Sequence, residues 1–183
     1  MLYAAYGSNL HPLRLQQRSP TAQLLGTAAV PDMALRFHKC GYTDFSGKCN
    51  LLPCHGGIVY VAIYEISAAE MALLDRSEGA GAGYDRAAIP VDGFGECVTY
   101  LAAATHIDEA LRPLSWYKAL VLVGCKRLAF PAPYIEVVRD IPTVQDRDGD
   151  RHTTHMQLVA DCANANKKSR AGALLGCRSY ENH

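Results

Sequence analysis

Hydrophobic positions change their spacing several times along this chain, and each change marks an element boundary. Leu2 to Tyr6 is a short extended apolar run and reads as a strand. Gly7-Ser8-Asn9 breaks it, and Leu10 to about Arg18 reads as a helix with Leu10, Leu13 and Leu15 among polar residues. Ser8 or Asn9 supplies the N-cap, Pro12 falls in the first turn where a missing N–H costs little, and Ser19-Pro20 ends the helix. Residues 21–66 are β-rich. Ala34–His38 is one strand, Ser46-Gly47-Lys48 a turn before the run Cys49–Pro53, and His55-Gly56-Gly57 a break before Ile58–Ile66, the strongest strand. Ser67 and Glu70 form a capping-box pattern that opens a helix over about 68–77, with Met71 and Leu74 inward and Glu70 and Asp75 toward solvent. A glycine-rich loop, Glu78–Gly83, follows. Tyr84–Val91 and Glu96–Ala103 then pair as a hairpin around Asp92–Gly95. Residues 114–128 form a helix that buries Trp116, Leu120, Val123 and Leu128, and a short helix from Ala132 to about Asp140 ends at Ile141-Pro142. Residues 143–155 read as a polar linker or surface segment, and 156–183 as a weakly patterned, partly mobile end.

Strands and helices mix here without strict βαβ alternation. The expected class is α+β, with a small, mostly antiparallel, barrel-like mixed sheet surrounded by helices. Residues 1–142 read as one domain and 143–183 as a C-terminal extension. The 183 residues, 49% of them apolar, suffice for a real core. Eighteen basic residues balance eighteen acidic ones, so no basic face invites nucleic acid or a membrane surface. No apolar run has the length of a membrane-spanning helix, and the first residues lack the basic start of a secretion signal. With an odd number of cysteines, seven, these features lead to an expectation of reduced thiols in the cytoplasm. His38, Cys40, Cys49, Cys54 and His55 have the residue types of a metal site, but not a common zinc spacing, so no metal is expected.

Candidate chemistry gathers at two places. At Tyr6-Gly7-Ser8-Asn9 an extended segment meets a glycine turn and a helix start, which aims backbone N–H groups at open space and can cradle a carbonyl or carboxylate. An ordinary strand-to-helix turn has the same pattern. Glu78 closes a helix just before glycines that allow close approach of a ligand, although a lone carboxylate at a loop mouth is often simply solvated. Gly79, Gly81 and Gly83 follow a helix, not a strand, and so do not make a dinucleotide fingerprint. Asp146, Asp148 and Asp150 resemble the start of a calcium loop, but Arg151 and Gln157 stand where that loop needs glycine and an acid; they read as a solvated turn.

Taken in order, Tyr6–Leu10, Gly47–Pro53, Val59–Ile66, Leu74–Gly79, Tyr84–Arg86, and Pro113 with Trp116–Leu120 resemble the γ-glutamylcyclotransferase superfamily over about residues 2–142. The resemblance implies a small sheet curled into a barrel with helices around it. It implies that Glu78 is the general acid/base, and that Tyr6, Gly7, Ser8, Asn9 and Leu10 hold the γ-glutamyl group. Tyr117, Tyr84 and Arg86 join the substrate-binding set, with a structural brace as the other role for Arg86. The substrate would be a γ-glutamyl amine or γ-glutamyl amino acid. Its α-amine attacks the γ-carbonyl to give 5-oxoproline and a free amine or amino acid, with no metal, nucleotide, other cofactor or covalent intermediate, in a monomer or homodimer. Asn9-Leu10 departs from the Leu-Trp usual in the glutathione-specific branch, and Leu114-Ser115 places the later serine one position on. Two other readings stand beside this one: a non-catalytic binding or regulatory protein of the same fold, and a γ-glutamyl amide hydrolase that uses water in place of the amine.

Overall fold

Three of the four residues of β1 (Leu2–Ala5) are buried, because this short strand runs through the middle of a five-stranded sheet. On one side it pairs antiparallel with β3 (Gly47–Glu65), from Leu2 opposite Glu65 to Ala5 opposite Ala62. On the other it lies parallel to β5 (Gly95–Ala102), with Tyr3 opposite Val98. β2 (Gln23–Cys40) forms one edge beside β3, and β4 (Tyr84–Val91) the other beside β5, giving the order β2-β3-β1-β5-β4. The computed structural model describes the backbone of residues 1–177 and the side-chain surroundings of residues 1–167. The fold is α+β with a mixed, mostly antiparallel sheet, as expected, but the sheet does not close into a barrel. No backbone ladder joins β2 to β4; instead Phe94, at the β4–β5 turn, lies over Gly26 of β2, where a Cβ would come within 3.1 Å of its ring. Side-chain packing fills the gap that a barrel would close with hydrogen bonds.

The strands expected separately at 34–38, 49–53 and 58–66 belong to one long β2–β3 hairpin. Its interruption is local: Pro31 faces Ile58 and Met33 faces Pro53, so residues 54–57 bulge out opposite Asp32. Gly56 adopts φ +75°, and its N–H donates to Asp32 Oδ1 at 2.8 Å. The expected 84–103 hairpin is present, turning at Gly93 and Gly95 with positive φ.

Around the sheet lie α1 (Pro12–Gln16), α2 (Ala68–Glu78), α3 (Ser115–Arg127), α4 (Ala132–Asp140) and α5 (Gly149–Cys177). The helix expected from Leu10 to Arg18 splits, because Pro12 has no N–H to continue a preceding turn. A 3₁₀ turn covers Ser8–Leu10, and α1 starts afresh with His11 as its cap, Nδ1 accepting from Leu13 N–H at 3.2 Å. Ser67 caps α2 as expected, accepting from the N–H of Glu70. Glu70 and Asp75 do not face solvent freely, however. Glu70 is buried and takes the N–H and hydroxyl of Thr21, while Asp75 accepts from Tyr100 and pairs with Arg86. Segment 143–155 is also more than a linker. The Asp146 side chain is covered, accepts from the Trp116 indole at 2.8 Å and pairs with Arg151, which fixes the start of α5 against α3. α5 then runs along α3, burying Leu158 and Cys162, and Asn166 bridges His11 and the Val123 carbonyl. Residues 178–183 of the expected C-terminal segment lie outside the described residues. Leu10, Leu15, Ile63, Tyr64, Met71, Leu74 and Leu120 form the fully buried center. Gly124 lets α3 sit directly on the 3₁₀ turn, since a Cβ there would be 2.6 Å from Leu10 Cβ. No helix among the described residues is long and apolar enough to cross a membrane.

Candidate functional site

α2 stops because Gly79 takes the left-handed conformation, φ +68°, with its N–H returning to Arg76 O. Glu78 is therefore the last helical residue, and its carboxylate reaches the turn that follows β1. Asn9 Nδ2 donates to Glu78 Oε1 at 3.0 Å and to the Tyr3 hydroxyl at 3.1 Å. Arg18, just past α1, donates to the same Oε1 at 2.5 Å and to Asn9 Oδ1 at 3.2 Å. The three side chains thus close a ring of charge-assisted hydrogen bonds, with the Glu78 side chain only 17% exposed. Oε2 of Glu78 makes no hydrogen bond among the described residues.

Beneath this carboxylate lies a slot of about 30 Å³ walled by Tyr3, Tyr6, Tyr84, Tyr100 and Tyr117 and floored by Gly7–Asn9 and Cys49. Three of the tyrosines are fixed by the backbone around them: Tyr6 donates to Tyr100 O, Tyr84 to Cys49 O, and Tyr117 accepts from Cys49 N–H at 3.2 Å. Burial drives all five phenols well above their ordinary range, so they stand as neutral hydroxyls. Gly7 fits because its missing side chain leaves room for Cys49, whose Cβ would lie 3.0 Å from a Cβ at this position. Ser8 and Asn9 open the 3₁₀ turn, so their N–H groups have no acceptor within it.

The slot opens into a cleft of about 540 Å³ that shares Ser8, Glu78, Tyr84 and Tyr117 with it. Five cations line this cleft: Arg14, Arg18, Lys39, Lys48 and Arg76; Asp44 and Glu78 are its two carboxylates. Lys48 is bound to Asp44 at 2.6 Å and sits 4.7 Å from the centroid of the Tyr117 ring. His155, from α5, stacks on Trp116 at 3.8 Å and forms part of the far wall. A larger hollow of about 680 Å³, between the Asp44–Ser46 turn and Gln145–Arg147, shares only Asp44 with the cleft and contains none of the Glu78 cluster.

The sequence-derived candidates Tyr6, Gly7, Ser8, Asn9, Glu78, Tyr84 and Tyr117 come together at this slot from separate segments of the chain. Leu10 and Arg86 line neither cavity. Leu10 is fully buried behind the loop, and Arg86 clamps Asp75 through Nε at 3.0 Å, bracing β4 to α2. The metal-type residues are scattered: His38 binds Glu109 and Asn50, Cys49 lies under Gly7, and His55 is fully exposed beside Asp32. Sequence reading missed Tyr3, Tyr100, Arg14, Arg18 and Lys39. Neither Arg14, within α1, nor Arg18, just past it, sits in a motif that sets it apart from a solvated surface charge.

A family model described as gamma-glutamyl cyclotransferase, AIG2-like, matches residues 3–118. The gamma-glutamylcyclotransferase of Bos taurus is 27% identical over 76% of this chain and 78% of its own, and that of Mus musculus is 29% identical over the same shares. A solved structure named gamma-glutamyl cyclotransferase superposes with a TM-score of 0.78 at 24% identity, covering 88% of this chain and 98% of its own. That matched span holds the turn after β1, the end of α2, β4 and the start of α3, which together build the slot. This chain belongs to the gamma-glutamyl cyclotransferase, AIG2-like family.

Proposed function

We propose that this protein is a γ-glutamylcyclotransferase that converts a γ-glutamyl amide to 5-oxoproline and a free amine or amino acid, with Glu78 as general acid/base. The carrying observation is the state of Glu78. Asn9 and Arg18 fix the carboxylate through Oε1, and Oε2 stays unbonded at the junction of slot and cleft. A γ-glutamyl chain is too large for a 30 Å³ space, so the slot takes one small polar group while the rest of the substrate lies in the cleft. Ser8 and Asn9 amides are donors suited to the α-carboxylate or the developing oxyanion. Holding the flexible chain folded supplies the entropic part of the rate enhancement.

The reaction then balances without any additional group. Glu78 Oε2 takes a proton from the substrate's α-ammonium, and the freed amine nitrogen attacks the γ-carbonyl carbon. A C–N bond closes the five-membered ring as the amide C–N bond breaks. Glu78 returns that proton to the departing nitrogen, then takes the second proton from the ring nitrogen, which leaves a neutral lactam N–H, and passes it to the released amine, which departs as an ammonium. Buried tyrosine hydroxyls keep the slot polar but uncharged. Glu78→Gln keeps the size and one acceptor but removes the base. The expected result is a fall in 5-oxoproline formation of at least ~100-fold, read by mass spectrometry on a panel of γ-glutamyl compounds, with binding retained. Near-normal turnover in that variant would overturn the assignment, and glutamate in place of 5-oxoproline would make the protein a hydrolase.

A further inference from the structure

Two carboxylates stand in the last turn of α2. Asp75 and Glu78 are three residues apart, so both lie on one side of the helix. Each is held by an arginine from another segment. Arg18 holds Glu78, and Arg86 of β4 holds both oxygens of Asp75, through Nε at 3.0 Å and through a terminal guanidinium nitrogen. Asp75 also meets the Tyr100 hydroxyl at 2.7 Å. Burial pushes the Asp75 carboxyl up, but Arg86 and Tyr100 outweigh it and hold the group below its ordinary range. An ionised carboxylate only accepts, so the Tyr100 hydroxyl gives its proton to Asp75. Met71 Sδ, at 3.6 Å from the same hydroxyl, is a much weaker acceptor.

Tyr100 connects this clamp to Glu78. It walls the slot, its carbonyl takes the Tyr6 hydroxyl, and its ring meets that of Tyr3 edge-on with centroids 5.9 Å apart. The Tyr3 hydroxyl accepts from Asn9 Nδ2, and that same amide donates to Glu78 Oε1. Contacts therefore run unbroken from Arg86 through Asp75, Tyr100, Tyr3 and Asn9 to the carboxylate of Glu78. The side chains of Arg86 and Asp75 are 40% and 26% exposed, and a pair that open to water contributes little to stability. What the pair does supply is direction, because it fixes one phenol of the slot wall.

We infer that Arg86 and Asp75 are positioning residues, which hold the Tyr100 hydroxyl, thereby seat Tyr3 and Asn9, and so aim Glu78. The inference deepens the cyclotransferase reading above and rests on it for its kinetic test. Asp75→Asn keeps the shape, removes the charge that orders Arg86 and weakens the acceptor for Tyr100. It should lower kcat for 5-oxoproline formation ~10-fold, as a small misplacement of a reacting group does, with KM changed less than about threefold. Tyr100→Phe, which removes only the hydroxyl, should do the same. The two changes together should cost no more than either alone, because both cut one chain of contacts. Arg86→Gln should also lower kcat, and Arg86→Lys should restore part of it. Losses that multiply in the double variant overturn the inference, since Asp75 would then act otherwise than through Tyr100. So does an unchanged kcat with a lowered thermal midpoint, the mark of a brace alone. The Asn9 side-chain amide reads the same chain without turnover. Its nitrogen–proton NMR signals, identified by their disappearance in Asn9→Ala, should shift in Asp75→Asn and in Tyr100→Phe, and signals unmoved in both overturn the inference. Shifted signals with no 5-oxoproline from wild-type protein would sink the cyclotransferase reading and leave the positioning intact.

Discussion

Asn9 is the residue on which the geometry of Glu78 turns. Its amide donates to Glu78 and to Tyr3, and its carbonyl accepts from Arg18. Asn9→Asp keeps the shape but removes both donors and sets a second carboxylate against the first, where like charges repel. The expected outcome is a kcat lowered by roughly 100-fold with KM changed far less, and a milder loss in Asn9→Ala, which adds no charge. Steady-state kinetics on one γ-glutamyl substrate decides it; an effect confined to KM would mean that Asn9 only binds. At this scale the sequence is readable where a residue sits in a local motif. Ser8 follows a glycine turn, and Glu78 stands before a glycine that must end its helix. Arg18 is not readable, because its partner is 60 residues away and an arginine at a short helix end looks like any solvated charge.

Among the elements, α1 and α5 meet at His11, and the contact is built for a neutral imidazole. Nδ1 accepts the Leu13 N–H as the helix cap, so Nε2 carries the proton shared with Asn166 Oδ1 at 3.0 Å. A second proton on Nδ1 would break the cap, and burial already holds the ring below its ordinary range, as it also does for His155. In the unfolded chain histidine takes its proton near pH 6.5, before the folded ring does. Stability from the neutral ring is therefore present above about pH 6.5 and is lost as pH falls below it toward the lower folded value. Denaturant unfolding at pH 7.5, 6.0 and 5.0 should show stability declining, and His11→Asn, which can still cap α1, should flatten part of that slope. An unchanged slope would put the pH sensitivity elsewhere. Element by element, the capped α2, the β4–β5 hairpin and α3 are legible because each carries a local signal. The α1 cap is not, since Pro12 moves it from Ser8 or Asn9 to His11.

For the molecule as a whole, the feature hidden from sequence is how the C-terminal segment joins the rest. α5 shows little apolar stripe, and much of what attaches it is polar: Asp146 to Trp116, His155 on Trp116, Asn166 to His11 and Val123. Such contacts leave no periodicity, and the one between His11 and Asn166 spans 155 residues. Barrel closure is equally hidden, because it depends on whether two distant edges meet. The consequence of α5 is testable by ending the chain after Asp148. That removes Arg151 from Asp146, exposes the partners of Leu158 and Cys162, and opens the cleft wall at His155. Removing two buried side chains and two or three hydrogen bonds amounts to about 5 kcal/mol. For a chain of this length that corresponds to a thermal midpoint lowered by about 10–20 °C. Because His155 stacks on Trp116 beside Tyr117, the KM for a γ-glutamyl substrate should rise as well. A shortened chain that melts and turns over like the full one would instead mark residues 1–148 as a self-sufficient unit and α5 as an appendage to it.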